Sequence, residues 1–111
     1  MESKHAIAAF AALAHETRLD LFRLLVRAGE DGMAAGDIAA ALETAPSTLS
    51  HHLAQLERAE LIASRRESRH IYYAIAVPAV RGLLGYLMEN CCDNRPELCG
   101  IMAVPKADTT C

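Results

Sequence analysis

The chain has 111 residues, 52% of them apolar, and a formal net charge of −3. That length favours one domain, and no segment reaches the roughly 18 consecutive apolar residues of a membrane helix, so no membrane partner is expected. Because 21 residues are alanine, the bulky core is small and the chain favours helix. Dimerisation is then a ready way to cover exposed helix faces.

The opening stretch MESKHAIAAFAALAHETR is Ala-rich and carries little positive charge before its apolar run, so it reads as a surface helix and not as a signal peptide. In it Ile7, Phe10 and Leu13 recur at helical spacing. A second helix, from about Thr17 to Arg27, places Leu21, Leu24 and Leu25 on one side, with Leu19, Phe22 and Val26 adding bulk. Gly29 and Gly32, with Glu30-Asp31 between them, mark an exposed turn.

Gly36-Asp37 opens a short helix over Ile38 to Leu42, and Glu43-Thr44-Ala45 forms a brief turn. Pro46 suits the first position of the next helix, where its missing N–H costs nothing. Leu49, Leu53 and Leu56 then form one buried stripe. Two helices joined by so short a turn make a helix-turn-helix. After Ala59 the period changes. Leu61 to Arg65 reads as a strand, Glu67-Ser68 as a turn, and His70 to Ile75 as the return strand, which together make a wing. Pro78 starts a last helix that runs to about Asn90, with a stripe of Val80, Leu83, Leu84, Leu87 and Met88. Gly82 and Gly85 weaken that helix by roughly 1 kcal/mol each, and their use is the close approach of another helix. The fold class is mainly α with a β-hairpin wing (α+β). Residues 1–92 form the domain, and residues 93–111, with two Pro and one Gly, form a tail.

The negative net charge does not exclude DNA, because position decides. Arg65, Arg66 and Arg69 fall within five residues of one another on the wing. A recognition helix offers its N-terminal side chains to base edges. Between the leucines, the exposed positions are Ser47, Thr48, Ser50 and His51, and further on His52 and Gln55. Ser and Thr hydrogen-bond to bases or phosphates, although Ser47 and Thr48 also suit plain helix capping. The wing arginines would meet phosphates or the minor groove.

All four cysteines lie at or beyond residue 91: Cys91, Cys92, Cys99 and Cys111. Adjacent Cα atoms are about 3.8 Å apart, short of the usual disulfide separation of roughly 4.4–6.8 Å. Cys91-Cys92 therefore chelates one large ion more readily than it bridges to itself. Soft thiolates select soft ions, and three of them complete a pyramidal site on trivalent arsenic. The intervening Asp93 to Leu98 contains Asn94 and Pro96 and can fold back to bring Cys99 to the same centre. A redox switch, with Cys91 or Cys92 bridging Cys99, is the competing use of these thiols. Cys-x-x-Cys motifs, phosphate loops and nucleophile elbows are absent, so the chain does not read as an enzyme.

The segments LAHETRLDLFRLL (Leu13–Leu25), PSTLSHHLAQLERAELI (Pro46–Ile62) and RRESRHIYYAI (Arg65–Ile75) resemble the ArsR/SmtB family of bacterial winged-helix repressors. The resemblance spans roughly residues 5–90. It implies a homodimer, paired through the first and last helices, that holds double-stranded operator DNA of a detoxification operon and leaves it when a metal or metalloid binds; the cytoplasmic location follows from reading the opening stretch as a surface helix and not as a signal peptide. Three local departures stand out. His15-Glu16 replaces the family's Asp-Pro, Glu60 replaces the Gly that ends the recognition helix, and Glu67-Ser68-Arg69 replaces Glu-Gly-Arg in the wing. The family's Cys-x-Cys motif is missing from Ala35–Leu42, and the His and acidic ligands of zinc sensors are missing from Pro78–Asn90, where Glu89 is the one acid. What remains is similar to an arsenic-responsive subgroup with a Cys-Cys pair at the end of the last helix. That implies a site of Cys91, Cys92 and Cys99 and an inducer such as arsenite, antimonite or methylarsenite. A zinc- or cadmium-responsive repressor is the alternative of the same class.

Overall fold

The computed structural model describes residues 2–88, so Cys91, Cys92, Cys99, the tail and the expected extension of the last helix to Asn90 lie outside the described residues. Five helices and three short strands follow in order: α1 Ser3–Leu13, α2 Glu16–Ala28, β1 Met33–Ala34, α3 Ala35–Leu42, α4 Pro46–Arg58, β2 Ile62–Glu67, β3 His70–Ile75 and α5 Val77–Leu87. A single 3-10 turn, Gly29–Asp31, joins α2 to β1. No described helix is long and apolar enough to cross a membrane.

The leucine stripes behave as their spacing requires. Leu21 and Leu25 of α2, Ile38 of α3, Leu49, Leu53 and Leu56 of α4, and Leu61 and Ile62 at the start of β2 close one core. Each such buried side chain contributes about 1.5–3 kcal/mol before the entropy of ordering it is counted. Pro46 sits in the first turn of α4, as its fixed φ favours.

Two helices depart from the expected packing. In α1 the buried face is Ala6, Ala9 and Ala12, while Ile7 and Phe10 remain 66% and 43% exposed. Alanine methyls let α1 approach α2 and α4 closely, which turns the larger side chains outward. In α5 only Leu83 is buried, and Leu84 and Leu87 stay about half exposed. A Cβ at Gly85 would meet nothing within 4 Å, so the close approach expected there is not made by the described residues of this chain.

The wing hairpin pairs β2 with β3 in antiparallel register, from Ile62 opposite Ile75 to Glu67 opposite His70. A third strand, β1, adds to the other side of β3 through Met33 opposite Tyr73 and Ala34 opposite Tyr72, giving the order β1-β3-β2. Gly32 leads into β1 with φ +75°, and a Cβ there would collide with the Tyr73 carbonyl. Only glycine fits both demands.

Candidate nucleic-acid interface

Helix α4 is anchored by its leucines and presents the rest of its surface outward. Its N-cap is Ala45, which makes no side-chain capping bond. Ser47 and Thr48 therefore do not occupy the capping position, and both are exposed, as are Ser50 and His51. Two hydroxyls, a third one turn on and an imidazole thus line the start of a 13-residue helix whose dipole favours an anion at that end.

The expected exposure of His52 and Gln55 is not found. His52 is only 6% exposed. The reason is spacing: it lies three residues after Leu49 and four before Leu56, inside the buried stripe. Its Nδ1 faces Arg18 Nη1 at 3.4 Å, and since a guanidinium can only donate, Nδ1 accepts. The His15 and His51 rings stand 4.7 and 5.6 Å from the His52 ring, centroid to centroid. Burial, then the fields of His15, Arg18 and His51, push the His52 pKa below its ordinary 6.5. His52 is a neutral strut between α2 and α4. Gln55 is half-buried and lines a cavity against α1, away from the α4 N-terminus.

Sequence reasoning noted His15 only as a departure from the family's Asp-Pro and gave Arg18 no role. His15 is the N-cap of α2, its Nδ1 accepting from the Thr17 N–H at 3.1 Å. Arg18 Nε donates to the Ala12 carbonyl at 2.6 Å, which fastens the α1–α2 corner. The available signal was position: a residue just ahead of Glu-Thr-Arg at a helix start is where a cap belongs.

On the wing the three arginines are not equivalent. Arg65 is tied to Glu67 at 2.7 Å, and its guanidinium lies 4.9 Å from the Tyr72 ring centroid. Arg66 and Arg69 are exposed, and neither has a carboxylate partner among the described residues. The hairpin turn is made possible by Ser68 at φ +61°, and the wing is joined to α4 by Ser64 Oγ donating to Glu57 at 2.9 Å. The result is a wing with two cations that lack a carboxylate partner among the described residues, held by a hydrogen bond to the helix that carries the exposed hydroxyls. Among the described residues no group of three or more His, Cys, Asp or Glu is arranged to hold a metal.

Comparison with known proteins agrees with this geometry. A family described as "Helix-turn-helix domain" matches residues 13–65. The transcriptional activator HlyU of Vibrio cholerae is 29% identical over 90 residues, 81% of each chain. Its solved structure superposes with a TM-score of 0.64 at 30% identity, covering 83% of this chain and 99% of that one. The transcriptional repressor SdpR of Bacillus subtilis is 32% identical over 80 residues, 72% of this chain and 86% of its own. An arsenic resistance transcriptional regulator, ArsR1 of Pseudomonas putida, is 35% identical over 66 residues, 60% of this chain and 50% of its own. A homodimeric winged helix-turn-helix DNA-binding domain from Mycobacterium bovis, described as a possible ArsR-family regulator, superposes with a TM-score of 0.64 at 30% identity over 86% of this chain and 84% of that one. The chain belongs to the ArsR/SmtB family of winged-helix transcriptional regulators.

Proposed function

We propose that this protein is a cytoplasmic homodimeric repressor of an arsenic-resistance operon, released from double-stranded operator DNA when Cys91, Cys92 and Cys99 bind trivalent arsenic. The observation that carries the DNA-binding half is the exposed row Ser47, Thr48, Ser50 and His51 at the start of α4, together with exposed Arg66 and Arg69 on the wing, which have no carboxylate partner among the described residues. The hydroxyls and His51 would read or position the major groove, and the wing cations would take phosphates. Arg65 would join them once it leaves Glu67. His52 and Gln55 support α4 from behind.

The dimer is supported by the apolar side chains left exposed on α1 and α5, Ile7, Phe10, Leu84 and Leu87, and by the homodimeric Mycobacterium bovis relative. The sensing half rests on the clustering of thiols in the sequence and on the likeness to an arsenic resistance regulator. In this scheme residues 1–92 form the DNA-binding and dimerisation domain, and the segment 93–111 supplies Cys99. Ligation ties that segment to the end of the last helix and tilts it. The tilt changes the spacing of the two recognition helices, which must match major grooves roughly 34–36 Å apart. Release requires that arsenic bind the DNA-free form more tightly than the DNA-bound form.

The test is fluorescence anisotropy of the reduced protein on its own promoter fragment, titrated separately with arsenite, zinc and a disulfide oxidant. Arsenite alone should release the DNA. Cys99→Ser should bind DNA as tightly as wild type and lose release by arsenite. A normal response from that variant overturns the three-thiol site. Release by oxidant alone makes the cysteines a redox switch.

A further inference from the structure

A cavity of about 240 Å³ opens between α1 and the C-terminal half of α4. It is lined by the alanines Ala8, Ala11, Ala12 and Ala59 and by the polar side chains of Arg18, Gln55 and Arg58. Around α1 it lies on one side of the buried Ala6, Ala9 and Ala12 stripe, with Ile7 and Phe10 on the other. Its rim approaches the apolar face proposed for dimerisation, because Ala11 lies one helical turn after Ile7.

The two guanidiniums are the unusual part. Arg18 is half-buried and spends its Nε on the Ala12 carbonyl and one Nη1 proton on His52, which leaves three of its five N–H donors. Arg58 projects from the last turn of α4. Neither has a carboxylate within 4.0 Å among the described residues, where the one ion pair is Arg65–Glu67. The field of Arg18 also reaches His52 and disfavours its protonation. A planar guanidinium fork matches a carboxylate, and a second cation beside it strengthens the match. The alanine lining offers methyl contacts and no hydrogen bonds. The volume is below the roughly 300–1,000 Å³ of a pocket for drug-sized molecules.

We propose that this cavity binds a short-chain aliphatic carboxylate, its carboxylate between Arg18 and Arg58 beside the Gln55 amide and its tail on Ala8, Ala11 and Ala59. Such a ligand bridges α1 to α4, so it bears on the orientation of the helix that carries Ser47 to His51.

The experiment uses the full chain labelled with 15N and titrated with sodium butyrate at constant ionic strength, with inorganic phosphate and sodium chloride as parallel arms. The expected result is saturable shifts of the Arg18 and Arg58 Nε–H and the Gln55 side-chain amide signals, half-complete at about millimolar butyrate, as suits so small a ligand. Arg58→Gln, a change at an exposed position, should raise the half-saturation concentration by about tenfold or more, since a charge-assisted hydrogen bond is lost. Ala11→Leu should also abolish binding, because it fills the cavity and leaves both cations in place. Wild-type melting temperatures show that each variant is folded. Shifts that rise linearly with concentration, that are matched by phosphate or chloride, or that survive both substitutions overturn the proposal. The readout involves neither DNA nor cysteine, so it stands apart from the repressor reading.

Discussion

Three imidazoles and one guanidinium meet where α2 begins and α4 passes beneath it. His15 caps α2 through a lone pair, and His52 accepts from Arg18 through another. The bond to His52 needs a neutral ring, and the His52 pKa lies below 6.5. The sign of the pH dependence follows. Between the folded value and about 6.5 the unfolded chain binds more protons than the folded one, so acidification favours unfolding. The contribution of neutral His52 is complete above about pH 6.5 and is lost as the pH falls toward the folded value. Urea midpoints at pH 7.5 and 5.5 should therefore drop more steeply in the wild type than in His52→Gln. Equal slopes in the two proteins would mean that His52 does not carry the acid sensitivity.

At the scale of the element, the wing is preorganised and partly self-neutralised. Its register places Arg65 opposite Tyr72 and Glu67 opposite His70, and the Arg65–Glu67 bond holds one of its three arginines. Glu67→Gln removes an opposing charge and frees Arg65. DNA affinity should rise roughly three- to tenfold at low salt, with the gain fading as salt screens it. Anisotropy at two salt concentrations reads this directly. An unchanged affinity would show that Arg65 does not reach DNA even when freed. Left-handed backbone appears at Glu60, φ +65°, and Ser68, φ +61°, where the family uses glycine. Both positions adopt left-handed backbone without the residue that makes it easy, at a strain cost of roughly 1 kcal/mol per position.

For the whole molecule, the unfinished business is apolar. Helix α5 is held to the described core by Leu83, with Tyr86 packed partly against it, while Leu84 and Leu87 face outward. On α1 the same is true of Ile7 and Phe10. Burying such side chains is worth about 1.5–3 kcal/mol each, and a two-fold interface counts every one of them twice. Ile7→Glu and Leu87→Glu should leave the monomer folded, since both side chains are exposed in the single chain. Each should raise the dimer dissociation constant about a hundredfold or more, as read by sedimentation equilibrium. A variant that stays dimeric at wild-type concentrations would move the interface off these helices.

Local periodicity by itself determined the kinds of element and their order: the leucine stripes of α2 and α4, Pro46 at a helix start, and the switch to β-branched and aromatic residues in β3. Those signals are written in neighbours three, four or two residues apart, so they are legible without a partner. The exposed start of α4 was legible for the same reason. Only the tertiary structure decided which face of each helix is covered. Ala6, Ala9 and Ala12 displaced the larger Ile7 and Phe10 from the core of α1 because close helix approach rewards small side chains. His52 holds a stripe position by its spacing, and Arg18, 34 positions away in sequence, supplies the partner that a buried imidazole needs there. The two-residue strand β1 carries too few residues to show a period, and exists because β3 had an unpaired edge to offer.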